Sequence, residues 1–116
     1  MSKFKQTHTF DKRKIESDRI TIKYENRIPI IVEVNAQNTK ELNLDKFKYL
    51  VPHDLTLGQF LFVIRKRVKI EPEKALFIFF NNVLPPMSDS MGEIYNSSKD
   101  IDGFLYAVIS LESTFG

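Results

Sequence analysis

The most regular patterning in the chain lies between Leu57 and Val68. Leu57, Phe60, Leu61, Ile64 and Val68 recur at i, i+3, i+4, i+7 and i+11, the spacing that gathers apolar side chains on one face of an α-helix. Just before them, Thr56-Leu57-Gly58-Gln59 has the Ser/Thr-x-x-Glu/Gln form of a capping box, in which two side chains satisfy free backbone N–H groups reciprocally. A helix therefore starts there. Val63 falls at the margin of the stripe and Phe62 points nearly opposite to it. Upstream the period changes to two: Ile28, Ile30, Val32 and Val34 share one face of a strand, while Pro29, Ile31 and Glu33 share the other. Polar and turn-forming residues from Asn35 to Leu44 connect it to a second strand at Phe47–Pro52.

Downstream, Ala75–Phe80 is a continuous apolar run rich in aromatics, and Asn81-Asn82 supplies residues that tolerate positive φ in a tight turn. Pro85-Pro86 block regular structure, and Ser90-Met91-Gly92-Glu93 offers a second capping box for a short helix near residues 90–98. From Gly103 to Leu111 both alternating faces are apolar, the mark of a central strand. At the other end Thr9 can cap a helical stretch, with Asp11 in its first turn where a carboxylate favours the helix dipole. Phe10, Ile15, Ile20 and Ile22 fit a helical stripe only loosely, so this helix is expected to lie across a larger body. The order predicts an α+β fold of the ubiquitin-like, β-grasp kind. A four-stranded mixed sheet wraps a central helix, and an additional helical segment precedes it. The expected boundaries are an N-terminal helical extension packed on the core (1–27), the β-grasp core (28–111) and a flexible C-terminal tail (112–116).

Composition narrows the chemistry. At 116 residues, 42% hydrophobic and 28% charged, the chain is one ordinary globular domain in size. The absence of cysteine removes disulfides, thiolate zinc sites and thiol catalysis. Residues 1–27 hold eight Lys and Arg against four Asp and Glu, leaving nine against eleven for the remainder: a basic head on a mildly acidic body. The two histidines are His8, in that head, and His53, beside a strand end; His53 and Asp54 are adjacent and read as a turn, not as a base with its orienting carboxylate. Four scattered glycines form no phosphate loop or dinucleotide fingerprint, and no metal-ligand cluster stands out. Arg65, Lys66, Arg67 and Lys69 are spread around a helix in 100° steps and read as a solvated face, not as a track for a phosphate backbone. The chain is expected to be no enzyme, to need no cofactor or metal, and to bind no nucleic acid. Pro29, Ile31 and Leu50 remain unexplained: they point away from the Leu57–Val68 helix. They are either covered by the N-terminal helices through Ile20 or used to bind something.

Several segments taken together resemble the ubiquitin-like autophagy modifiers, the GABARAP-like proteins conjugated to phosphatidylethanolamine. They are Phe10-Asp11-Lys12-Arg13, Asn26-Arg27-Ile28-Pro29-Ile30-Ile31, Lys48-Tyr49-Leu50-Val51-Pro52, Asp54-Leu55-Thr56-Leu57-Gly58-Gln59-Phe60, Ile64-Arg65-Lys66-Arg67, Phe80-Asn81-Asn82 with Leu84-Pro85-Pro86, Asp102-Gly103-Phe104-Leu105-Tyr106, and the Phe115-Gly116 end. The resemblance covers residues 4–116; at Thr9 the family usually has a proline.

The resemblance implies a modifier whose Gly116 is activated by a ubiquitin-activating-like enzyme, passed to a conjugating-like enzyme and joined to phosphatidylethanolamine, with Phe115 read during processing and activation. A processing and deconjugating cysteine protease is a further implied partner. It also implies binding of cargo receptors and adaptors that carry aromatic-x-x-aliphatic peptide motifs. Glu16, Ile20, Pro29, Ile31, Lys48, Leu50 and Phe104 would form the aromatic pocket. Tyr49, Val51, Pro52, Leu55, Phe60 and Val63 would form the aliphatic one, and Arg27, Lys46 and Arg67 would meet acidic residues flanking the motif. The implied protein is a monomer in solution, cytoplasmic when unconjugated and on autophagosomal and related vesicle membranes when lipidated. An unconjugated ubiquitin-like scaffold or adaptor in vesicle trafficking is the alternative.

Overall fold

The computed structural model describes residues 2–113; Phe115 and Gly116 lie outside the described residues. Its elements are α1 (Lys3–Thr7), α2 (Phe10–Lys23), β1 (Arg27–Val34), β2 (Lys48–Pro52), α3 (Leu57–Val68), β3 (Phe77–Phe79), α4 (Met91–Ser98) and β4 (Leu105–Ser110), with one 3-10 turn at Ala36–Asn38. The four strands form one mixed sheet in the order β2-β1-β4-β3, with β1 parallel to β4 and the other neighbours antiparallel. This is the ubiquitin-like arrangement, and β4 is central as its two apolar faces predict.

Register sorts the side chains. Ile28 pairs with Val51, Ile30 with both Tyr49 and Leu105, and Val32 with Ala107, so these residues share the face that meets α3. There Leu57, Phe60, Ile64 and Val68 are all buried, joined by Met91 and Ile94 of α4. Both capping boxes form. Gln59 N–H donates to Thr56 Oγ1 at 3.2 Å while Thr56 N–H donates to Gln59 Oε1 at 2.9 Å, and Ser90 and Glu93 make the same exchange at 3.1 Å each. Phe62 is exposed beneath the ammonium of Lys66, and Val63 is exposed at the rim. Asn81 and Asn82 both adopt positive φ (51° and 65°) in the tight turn closed by Phe80 and Val83.

The opposite face is covered by the N-terminal helices. Pro29 and Ile31 of β1 are buried there; Phe4 of α1, Ile31 and Phe104 form a second apolar cluster, flanked by Ile20 and Tyr106. Helix α1 falls outside the helical stretch expected from Thr9 onward. Thr9 itself caps α2, its hydroxyl accepting from Lys12 N–H at 3.3 Å. Two other features depart from expectation. β3 is three residues long instead of the run 75–80, because Ala75 is exposed, the preceding loop is held at the carbonyls of residues 71, 72 and 74 by Arg65, and Phe80 belongs to the turn. Within the polar connection 35–44, Leu42 enters the core and buried Asn38 accepts hydrogen bonds from Ser110 Oγ and Leu111 N–H, each at 3.0 Å.

α2 is fastened to the β4 entry loop by a buried carboxylate. Asp102, 0% exposed, accepts from Arg13 Nη1 at 2.6 Å, Tyr106 Oη at 2.5 Å and Phe104 N–H at 2.8 Å, while Ser17 Oγ donates to the Asp102 carbonyl. This approach is close enough that Gly103, at φ 94°, faces Ser17 where a side chain would begin. Gly103→Ala is therefore expected to cost about 2 kcal/mol through backbone strain and the displaced helix. Gly58→Ala, whose new methyl would meet Met87 only at ordinary contact distance, should leave stability nearly unchanged; urea unfolding of both variants measures the contrast.

Candidate functional site

The free edge of β2 is where the sequence-predicted residues converge. Val32 N–H donates to Phe47 O and His53 N–H to Asn26 O, so odd-numbered residues of β2 turn their backbone groups toward β1. By the alternation of an antiparallel ladder, Lys48 and Leu50 direct their N–H and C=O groups outward. Side chains alternate too: Lys48 and Leu50 lie with Pro29 and Ile31 on the α2 side, and Tyr49 and Val51 lie on the α3 side. One strand edge thus runs between two apolar surfaces of different make-up.

On the α2 side the structure brings Glu16, Ile20, Pro29, Ile31, Lys48, Leu50 and Phe104 around one surface. Ile20 and Leu50 are half-buried, Pro29, Ile31 and Phe104 are buried, and Lys48 Nζ closes the top by pairing with Glu16 Oε2 at 2.7 Å. Behind them sits Phe4, 3% exposed, edge-on to Phe104 with ring centroids 5.5 Å apart and 5.2 Å from Lys48 Nζ. The cover expected from the N-terminal helices is therefore partial. The N-terminal helices bury Pro29, Ile31 and Phe104, and Ile20, Lys48 and Leu50 stay within reach of solvent.

On the α3 side Tyr49, Val51 and Phe60 are buried, Leu55 is half-buried, and Pro52 and Val63 are exposed. The Tyr49 and Phe60 rings meet edge to face at 5.6 Å, Lys46 Nζ lies 5.0 Å from the Tyr49 ring centroid, and Arg67 pairs loosely with Asp45 at 3.7 Å. Arg27 is not with them: it pairs with Pro52 at the far end of β2, roughly 13 Å along the strand from the Lys48 end.

Phe4, and the residues that dock α1, were not visible from pattern. Ser2 Oγ and Phe4 N–H both donate to Glu33 Oε2, at 2.8 and 3.0 Å, and Lys5 Nζ bonds Asp100 at 2.6 Å while lying 4.6 Å from the Tyr106 ring centroid. Burial and the hydrogen bond to Asp102 hold the Tyr106 phenol protonated well above its ordinary range. Partial burial would raise the Asp100 carboxyl, but hydrogen bonds from Lys5 and from Asp102 N–H outweigh it and the net shift is downward. A carboxyl depressed by folding adds stability above its unfolded pKa and loses it as pH falls through the folded one. Docking of α1 is thus expected to loosen below about pH 4, seen as faster amide exchange at Phe4 and Lys5, and Asp100→Asn should flatten that dependence.

Among the described residues no cluster of His, Cys, Asp and Glu could hold a metal ion, and no helix is long and apolar enough to cross a membrane.

Comparison with known proteins follows the same outline. The family model "Autophagy protein Atg8 ubiquitin like" matches residues 12–116. Autophagy-related protein 8 of Emericella nidulans is 56% identical over 115 residues, covering 99% of this chain and 97% of the relative, and that of Neurospora crassa is 56% identical over 99% and 94%. Among solved structures, Trypanosoma brucei ATG8 superposes with a TM-score of 0.89 at 46% identity, over 100% of this chain and 99% of that one. Plasmodium falciparum Atg8 in complex with a P. falciparum Atg3 peptide gives 0.89 at 31% identity, over 99% and 100%.

Proposed function

The chain belongs to the Atg8 ubiquitin-like family of autophagy proteins, and on that footing we propose that it is a modifier joined through Gly116 to phosphatidylethanolamine. Anchored in this way, it gathers cargo receptors onto the growing autophagosome by binding aromatic-x-x-aliphatic peptides. It acts as a ligand carrier and not as an enzyme.

The observation that carries the peptide-binding half is the open β2 edge between two apolar surfaces. A peptide added there as a strand gains main-chain hydrogen bonds from Lys48 and Leu50, and its alternate side chains fall to opposite sides. The aromatic anchor goes to the surface of Ile20, Pro29, Ile31, Leu50 and Phe104, with Lys48 and Glu16 parting to admit it. The aliphatic anchor goes to that of Tyr49, Val51, Pro52, Leu55, Phe60 and Val63. Lys46 and Arg67 face acidic residues beside the motif, and Arg27 serves the other end. Lysines on this edge also deter uncontrolled strand pairing when no peptide is bound. The Plasmodium relative bound to an Atg3 peptide supports a conjugating-type enzyme among the partners. An activating-type enzyme, a processing and deconjugating cysteine protease and motif-bearing receptors complete the set.

Gly116 suits the conjugation half because a residue without a side chain can enter a narrow enzyme channel, and its carboxylate can be adenylated and then attacked by thiol or amine. Two acyl chains, at about 0.8 kcal/mol per buried methylene, convert reversible contact into stable anchoring. The protein is then cytoplasmic before conjugation and on autophagosomal membrane after it.

Incubation with matching activating and conjugating enzymes, ATP and phosphatidylethanolamine liposomes should yield a lipid-linked, liposome-floating product. Gly116→Ala is expected to abolish that product while leaving the thermal midpoint unchanged. A variant that still floats in lipid-linked form, or a wild-type chain that never does, would remove the assignment.

A further inference from the structure

Among the described residues the buried polar side chains are Ser17, Asn38, Asp102 and Ser110. Ser17 and Asp102 fasten α2 to the sheet. Asn38 and Ser110, 5% and 0% exposed, bring no α-helix to it; they hold the chain where it leaves the sheet. The ladder of β4 ends with Ile109 opposite Val34 and Ser110 opposite Phe77. The next two backbone N–H groups have side-chain acceptors: Leu111 N–H donates to Asn38 Oδ1 at 3.0 Å, and Glu112 N–H to Ser110 Oγ at 3.1 Å. The Ser110 hydroxyl donates to Asn38 Oδ1 at 3.0 Å and accepts from Asn35 Nδ2 at 3.3 Å, while Asn35 N–H donates to Ile109 O at 2.8 Å. One amide oxygen and one hydroxyl thus carry the fixed course of the chain two residues past its last strand pair.

Closing the sheet does not require this clasp. The chain could stop at Ser110 and leave the following N–H groups to water, whereas a buried amide and hydroxyl are costly unless their bonds form. We propose that Asn38 is a positioning residue for conjugation: through Ser110 and Leu111 it fixes the point from which Gly116 is presented to the activating-type enzyme. This rests on the reading of Gly116 as the conjugated residue and adds what aims it.

Gly116 stands four positions beyond Glu112, so its reach from the clasp is about 14 Å at full extension. With the clasp open, the last fixed residue is Ser110 and the tail has six residues. An enzyme that holds the body while it takes the carboxylate into its channel must then order two more residues, an entropic cost of binding. The chemistry is the same in both cases. A carboxylate oxygen of Gly116 attacks the α-phosphorus of ATP, pyrophosphate leaves, and the enzyme's cysteine thiolate displaces AMP from the acyl carbon. The cost therefore falls on forming the complex, in KM, and kcat is spared.

The test measures thioester formation between the full chain and a matching activating-type enzyme with ATP, over a range of chain concentrations. Asn38→Ala is expected to raise KM for the chain roughly three- to tenfold with kcat unchanged. Ser110→Ala should act in the same direction, and the double variant should do no more than the larger single one, because the two side chains share a bond. Asn38→Asp keeps an acceptor oxygen for both donors and should hold KM near the wild-type value. Ile94→Val serves as the packing control: it is buried in α4, whose first turn lies by the Arg27 end of β1, where Gly92 N–H donates to His53 O, and it should leave KM unchanged. Amide exchange in the free protein should speed up at Leu111 and Glu112 in Asn38→Ala and stay the same at Ile30.

An Asn38→Ala chain whose Leu111 and Glu112 amides exchange faster, but which is charged with the wild-type KM, would overturn the proposal. So would a rise in KM that Ile94→Val reproduces or that Asn38→Asp shares, since either reduces Asn38 to a packing role. In those cases wild-type charging still stands and the conjugation reading survives. A wild-type chain that is never charged removes that reading, and the positioning role with it.

Discussion

The parallel pairing of β1 with β4 is the constraint from which the rest follows. Both strands are apolar on both faces, so the pair is stable only when covered twice. Helix α3 covers one side with the stripe of Leu57, Phe60, Ile64 and Val68. The other side needs α1 and α2, which precede the sheet in sequence and reach it through polar latches: Arg13 and Ser17 on Asp102, Lys5 on Asp100, and Ser2 with Phe4 N–H on Glu33. With both central strands enclosed, β2 and β3 become the margins, and β2 is left with an unpaired edge between two differently lined surfaces.

Asp102 shows how closely fold and site are joined. Its carboxylate accepts from Phe104 N–H, Tyr106 Oη and Arg13, so one buried charge fixes the residue at the floor of the aromatic surface, the strand after it and the helix over it. A buried carboxylate is tolerable only because all of these donors are present; losing the cation would leave it stranded. The Lys48–Glu16 pair lies at the solvent boundary instead, where exchange of partners costs little. The molecule therefore has fixed charge beneath the groove and exchangeable charge along its rim.

What was legible in the sequence was local. The two capping boxes, the Asn81-Asn82 turn, the helical stripe and the period-two strands each depend on neighbours within a few positions, and each formed. α1 could not be read because a five-residue helix with Phe4 as its single buried residue has no period. Phe4 is ordered by Ile31 and Phe104, which only the fold brings near. Arg13 and Asp102 are 89 positions apart, so nothing in spacing links them. The outward-facing Pro29, Ile31 and Leu50 were visible as an anomaly, but their division into buried wall and accessible rim depended on α1. The grouping of the two pockets came from family resemblance; periodicity supplied only the sides on which their strand residues lie. Arg27, grouped with Lys46 and Arg67 by resemblance, stands at the other end of β2 because strand direction separates them.

Acceptance of a strand by the β2 edge is the property on which peptide binding depends, and backbone amide exchange reads that edge directly. In the free protein Lys48 and Leu50 N–H face solvent and should exchange fast, while Tyr49 and Val51 N–H are held by β1 and should exchange slowly. With a saturating aromatic-x-x-aliphatic peptide, exchange at Lys48 and Leu50 should slow at least tenfold, about the effect of a hydrogen bond worth 1.4 kcal/mol, with Tyr49 and Val51 little changed. Bound peptide that leaves Lys48 and Leu50 exchanging as before, or that protects β3 instead, would contradict it.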